Sequence, residues 1–300
     1  MGQNNGRTRF LTRLVKEKPL GTASGIIVLI LILVAVFADV IAPYPYAERH
    51  LPDRLQGSSA QYLLGTDHLG RDFLSRIIHG ARISLTVGLA ATTLNVLVAV
   101  LLGGTSGFLG GRLDLVVQRF VDAWMSFPGL LLLLTIISIV GKGLLQLILV
   151  LGISGGIVGS RVLRSAVIGI KGNDYFQSAL AIGASKWGIL LRHVLPNIAA
   201  PIIVVFSINV GGVIISEAAL SFLGFGLPIE VPSWGGLLSR EGRQYMEAAP
   251  HLAFWPGLAL TVTVYSLNML GDAVRDLLDP RLVGSGGRLG AHGAEGARSV

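Results

Sequence analysis

The 300-residue chain contains no cysteine. This excludes a disulfide-stapled secreted domain, a zinc or iron–sulfur site built on thiolates, and a cysteine nucleophile. Charge is scarce as well: Asp, Glu, Lys and Arg make up 14% of residues, against roughly 25% in an ordinary soluble domain. No G-x-x-x-x-G-K-[ST] loop for ATP phosphates occurs, and neither H-E-x-x-H nor G-x-S-x-G is present. The six histidines include no pair at helical spacing for a metal. Serines and acids inside the apolar runs are too sparse for an intramembrane protease. These absences predict a chain without catalytic residues, metal or cofactor of its own.

Apolar side chains dominate instead, at 52% of residues with a mean hydropathy of +0.68. Such a chain is not disordered, and its solvent is lipid. The net charge of +7 calls for an anionic partner. For a membrane chain that is first the cytoplasmic lipid surface, with nucleic acid a weak second that is not among the expected partners.

Charge-free runs give the organisation. They cover residues 20–38, 83–111, 123–141, 143–160, 197–216 and 252–271. Since roughly 20 apolar residues cross about 30 Å of hydrocarbon, six membrane spans are expected. The 83–111 run exceeds one span, so its glycine-rich end is expected to emerge as a turn. The basic leader before the first run fits a signal peptide, but the apolar stretch is too long and DVIAPYP is no small-residue cleavage site, which favours a retained anchor. With the N-terminus inside, sixteen Lys and Arg fall inside and eight outside, so both termini are expected in the cytoplasm. The expected layout is a tail at 1–19, a first transmembrane helix at 20–42, an external segment at 43–82, a five-helix core at 83–283 and a disordered tail at 284–300.

The inside segment 174–196 reads DYFQSALAIGASKWGILLRHVLP. An acid and spaced apolar residues predict a short helix from Asp174 to Ile182. Gly183 permits a turn, Ser185 can cap a second helix over Lys186 to Val194, and Pro196 predicts a break before the fifth span. Two flat amphipathic helices of this kind either shield the bundle from water or dock a soluble partner.

This segment resembles the EAA loop of ABC-importer permeases: E-A-A, three residues, Gly, nine residues, Ile, one residue, Leu-Pro. Gln177-Ser178-Ala179 stands at the triplet, Gly183 follows at the family spacing, and Leu195-Pro196 closes it. Gln177, Ser178 and His193 depart from the Glu, Ala and Ile of the pattern. The ending Arg192-His193-Val194-Leu195-Pro196-Asn197 is similar to the dipeptide/oligopeptide branch, as are LGTDHLGRDFLSR (64–76), GARISL (80–85), DAWMSFPGLLLLL (122–134), AALSFLGFG (218–226), PSWGGLLSREGRQYM (232–246), APHLAFWPG (249–257) and NMLGDAVRDLLDPRL (268–282). These blocks place about residues 10–283 near its C-type subunits, whose relatives import dipeptides, oligopeptides, glutathione or nickel chelates.

The resemblance implies an all-α membrane protein with six transmembrane helices and the type I ABC-importer permease fold. It implies a second permease chain, two ATPase subunits that bind ATP and Mg, an extracytoplasmic solute-binding protein and a bacterial inner membrane. It assigns ATPase coupling to Tyr175, Phe176, Gln177, Ser178, Ala179, Gly183, Ala184, Ser185, Trp187, Arg192, Leu195 and Pro196. Ala179, Gly183 and Ala184 would allow close approach, and Trp187 and Leu190 would be apolar anchors. Tyr175 and Phe176 would do the same or sit among headgroups.

Glu217 ends an apolar run, either as a pathway group for a substrate ammonium or as an outer-interface carboxylate with an ordinary partner. Pro128, Pro201 and Pro256 predict kinks, and Gly107-x-x-x-Gly111 and Gly152-x-x-x-Gly156 predict close helix contacts. The segments 65–72 and 232–242 either touch the binding protein, gate the outer mouth or tuck against the bundle. A passive channel or proton-coupled carrier is the competing class. It would call for more ionisable residues within spans than Glu217 alone.

Overall fold

The computed structural model describes residues 12–173, 183, 185–228 and 230–278. Among them no strand forms, beyond a single bridge between Thr66 and Asp72. The helices are α1 (Pro19–Val36), α2 (Ala38–Ile41), α3 (Phe73–Leu109), α4 (Gly111–Met125), α5 (Gly129–Val140), α6 (Leu144–Lys171), α7 (186–197), α8 (Ala199–Phe222), α9 (234–242) and α10 (His251–Leu278). Five of them, α1, α3, α6, α8 and α10, are long and apolar enough to cross a membrane.

Several helix boundaries differ from the charge-free runs, α6 running on to Lys171 and α10 to Leu278, and two further differences bear on the layout. Helix α3 starts at Phe73, so the external segment expected at 43–82 turns helical ten residues before the run at 83. Asp72 caps this start, accepting from the Ser75 backbone N–H at 2.8 Å. The charged residues of its first turns are engaged within the protein: Arg76 is buried, and Arg82 donates to the Ala35 carbonyl at 2.8 Å and to Asp39 at 2.9 Å. The second difference lies in the run 123–141, which is not one straight span. Helices α4 and α5 meet at a 92° bend before Pro128. The 12 residues of α5 span roughly 18 Å, too little for a bilayer. Together α4 and α5 form at most one broken sixth span.

Small residues set the packing, as lipid offers no hydrophobic drive between helices. Gly103 and Gly107 of α3 lie against the backbone of Ser160 and Arg164 in α6, while Gly152 and Gly156 of α6 receive Leu94 and Val98 of α3. The expected 107–111 pair is therefore replaced by 103–107; Gly111 meets nothing among the described residues and opens α4 with φ +60°. Helix α1 lies along α10 and α3, and Lys18 at its start pairs with Asp276 near the end of α10 at 2.5 Å. The first and last described spans thus end on one face. Pro201 stands in the first turn of α8, where its missing N–H costs nothing, whereas Pro256 lies inside α10.

The opposite face is closed by a buried ionic cluster. Gly65 and Gly70 adopt φ of +80° and +71°, which folds the Thr66–Asp72 loop around the Asp67 carboxylate. Arg71 donates to Asp67 at 2.5 Å and to Glu241 at 2.8 Å, and Arg76 donates to the same Glu241 oxygen at 3.0 Å. Trp234 fills the space beside Gly80 and donates its indole N–H to the Ile77 carbonyl at 3.0 Å. The segments 65–72 and 232–242 are thereby locked to each other and to the bundle.

Candidate functional site

Helices α3, α5, α6 and α8 and the end of α4 enclose a groove of about 580 Å³ in the membrane-spanning region. Its wall is mainly apolar, with Leu132, Leu133, Leu151 and Val213 among the contributors, and carries no charged residue. Polarity comes from Asn95, Ser154, Asn209 and Ser216. Asn95 is only 3% exposed, and its Oδ1 has no hydrogen-bond partner among the described residues. Its amide lies over Gly155 and Gly159 of α6, where a Cβ would fill the space. Asn209 donates to the Val205 carbonyl at 2.7 Å, and Ser216 to the Gly212 carbonyl at 2.9 Å, so each keeps an acceptor oxygen for a further partner. None of these residues was singled out by the sequence, because neutral amides leave no mark on a charge count. One side of the groove is formed by α4 and α5, which bury only Val121 and Ile137 within the chain.

At one end of the groove lies α7. Its helical turn Lys186–Ile189 widens into a π turn at Leu190–Val194 and continues through Leu195–Asn197. Ser185 caps it by accepting from the Gly188 N–H at 3.1 Å. The break expected at Pro196 falls two residues later, at Ile198, because proline is tolerated in the first turn of the Leu195–Asn197 segment. Ile189, Leu190, Val194 and Ile198 are buried with Phe108 of α3 and Val167 of α6, which ties α7 to the ends of the two best-packed helices. Leu190 therefore faces the protein's own core, and the anchor expected there is corrected: Trp187 and Leu191, 62% and 60% exposed, form the outward apolar face, with Arg192 exposed beside them. Leu195 is half-buried and Pro196 exposed. Gly183 has φ +74°, and no described residue comes within 4 Å of a Cβ placed there. Tyr175, Phe176, Gln177, Ser178, Ala179 and Ala184 lie outside the described residues.

Glu217 of α8 does not line the groove. It is fully buried and accepts from the Ser221 hydroxyl at 2.8 Å, with the Ser84 and Ser233 hydroxyls beside it. On the closed face, Asp67, His68 and Glu241 place ligand atoms within 4.8 Å of one another. Arg71 and Arg76 already engage both carboxylates, and two guanidiniums in the same space oppose a cation.

A helical bundle with an uncharged groove through its membrane region and a flat amphipathic segment across one end is built as the membrane subunit of a transporter. Residues 95–284 match the family described as binding-protein-dependent transport system inner membrane component, and residues 9–57 match the N-terminal TM domain of oligopeptide transport permease C. The chain belongs to this family of ABC-importer permeases.

Among its relatives, the glutathione transport system permease protein GsiD of Pectobacterium atrosepticum is 39% identical over 274 residues, covering 91% of this chain and 90% of that one. The dipeptide transport system permease protein DppC of Alkalihalophilus pseudofirmus is 37% identical over 268 residues, covering 89% and 88%. In fold the chain is similar to an inward-facing structure of the MetNI methionine ABC transporter, with a TM-score of 0.56 and 18% identity over 68% of this chain and 96% of that one.

Proposed function

We propose that the chain is one of two permease halves in an ATP-driven importer of short peptides. The observation that carries this reading is the groove. Its neutral amide and hydroxyl groups suit a peptide backbone, whose N–H and C=O groups recur whatever the side chains. Its α4–α5 wall is left uncovered by the chain itself, a surface for a second permease to close. Relatives named for glutathione and dipeptide transport support the cargo class.

In this reading a solute-binding protein delivers peptide at the ionic face of the bundle, and the coupling segment 174–196 reaches the cytoplasm with both chain ends. Two ATPase subunits hold ATP and Mg, and one grips each permease through this segment. The permease makes and breaks no bond and holds no cofactor. It supplies two packings of its helices, and nucleotide biases them because the ATPase dimer contacts them differently. Glu217 holds α8 against α3 and α9, and the groove amides meet the cargo.

Gly183→Asp tests the coupling role. Among the described residues nothing lies within 4 Å of a Cβ at Gly183, so the chain should fold and insert. A carboxylate in the left-handed turn should block seating of the ATPase and abolish uptake of labelled peptide by the assembled transporter. Normal ATP-dependent uptake would refute the role.

A further inference from the structure

One end of the groove points to the face away from α7. A second cavity, of about 630 Å³, lies there, walled by Lys142, Phe222, Leu227, Arg240, Arg243 and Gln244 among others. Helix α8 gives Ser216 to the groove and Phe222 to this cavity, roughly 9 Å further along its axis. Lys142 stands in the turn between α5 and α6, both groove walls. The cavity therefore sits over the mouth of the groove.

Its charge is of one sign. Three cationic side chains line it and, among the described residues, no carboxylate does. Elsewhere on this face Arg71 and Arg76 share Asp67 and Glu241 and Arg82 pairs with Asp39, while Arg49 and Arg54 of the loop before α3 form no ion pair among the described residues but do not converge on a cavity with other cations. Lys142, Arg240 and Arg243 form no ion pair among the described residues. The Arg240 guanidinium donates to the Leu227 carbonyl at 2.6 Å, Lys142 Nζ stands 5.9 Å from the Phe225 ring centre, and Arg243 stands 5.9 Å from that of Phe222. Glu230 and Glu241 act on Arg240 electrostatically without pairing with it, and Glu241 is already engaged by Arg71 and Arg76. Three like charges held by a backbone oxygen and two aromatic faces repel one another, and an anion entering between them relieves that repulsion. The volume falls in the range of small-ligand sites, as expected for a cargo rather than for a flat docking surface.

We propose that this cavity is an entry site that captures the carboxylates of a short peptide, so that anionic peptides enter the groove ahead of cationic ones. The proposal rests on the peptide reading above and adds a charge preference located in this chain.

The test uses the complete transporter with its binding protein in proteoliposomes, taking up labelled Ala-Glu, Ala-Ala and Ala-Lys at saturating binding protein. In the combined variant Lys142→Gln, Arg240→Gln, Arg243→Gln, the Ala-Glu to Ala-Lys uptake ratio should fall at least about tenfold from the wild-type value, the scale of electrostatic focusing in a charged cleft. Lys142→Gln alone, at an unpaired position, should shift the ratio the same way by less. The charge-keeping set Lys142→Arg, Arg240→Lys, Arg243→Lys should retain it. An unchanged ratio in both Gln variants would overturn the proposal, as would an equal loss for all three peptides, which would mark a docking surface for the binding protein. Failure of the wild-type complex to take up any of the peptides would overturn the peptide reading itself, and this proposal with it.

Discussion

Arg71 and Glu241 are 170 positions apart in the chain, yet their side chains meet at 2.8 Å with 4% and 3% of their surfaces exposed. The contact joins the loop before α3 to α9 and closes one face of the bundle. Glu241 accepts from Arg76 as well, at 3.0 Å on the same oxygen, so removing its charge leaves two buried guanidiniums with Asp67 as their one remaining carboxylate partner among the described residues. Breaking a buried pair from one side typically costs about 3–5 kcal/mol. Glu241→Gln should therefore lower the melting temperature of the detergent-solubilised permease sharply and reduce its monodisperse yield. A melting curve matching wild type would show that the cluster does not hold this face together.

The neighbouring loop carries a pH signature. Tyr62 is 2% exposed and donates to Asp53 at 3.0 Å. Burial, reinforced by the Asp53 hydrogen bond, pushes its phenol from 10.0 up to about 12. The folded state thus keeps a proton that the unfolded chain releases near pH 10. The resulting stability is fully present below that pH and is lost as pH rises towards about 12. Thermal unfolding followed across this window should show a steeper alkaline loss in wild type than in Tyr62→Phe. Identical slopes would count against the assignment.

Much of this architecture is written in the distribution of charge, because a charge in hydrocarbon is costly and six uncharged runs stand out. That signal fails where charges are paired inside protein. Arg76 and Arg82 sit in the first turns of α3, so the helix begins earlier than a charge count allows. It also fails where a run is long enough but bent, and Ser126-Phe127-Pro128 is the sole trace of the break between α4 and α5. The turn at Gly183 and the cap at Ser185 follow from local chemistry and are seen. Which of Leu190 and Leu191 points outward depends on where Phe108 and Val167 lie, and no local pattern records that.

The seam between α3 and α6 separates glycines that are required from glycines that are merely present. A methyl group on Gly103 would press on the Ser160 carbonyl, which belongs to a helix backbone and cannot move aside. Gly169, on the same α6, meets nothing within 4 Å among the described residues. Gly103→Ala should destabilise by about 1–3 kcal/mol through overpacking. Gly169→Ala should be neutral or stabilise by roughly 0.5–1 kcal/mol, as alanine restricts the unfolded chain. Equal melting temperatures for the two variants would contradict the close approach of the helices.

Adjacent residues on α7 should separate coupling from folding. Trp187 and Leu191 are 62% and 60% exposed, whereas Leu190 is 5% exposed in the cluster with Phe108 and Val167. If the exposed pair anchors the ATPase, Trp187→Ala and Leu191→Ala should leave the melting temperature of the isolated permease near wild type. They should also weaken co-purification with the ATPase subunits by an amount typical of an apolar hot spot, about 2 kcal/mol or more. Leu190→Ala should do the reverse in kind, lowering permease stability by about 2–5 kcal/mol through an internal cavity. Any effect of Leu190→Ala on assembly should then scale with the fraction of folded chain. Retained association in the Trp187 and Leu191 variants would move the docking surface off this face of α7. A stable Leu190→Ala permease that no longer binds the ATPase would reverse the roles of the two leucines, since only a residue turned towards the partner can lose binding without losing the fold.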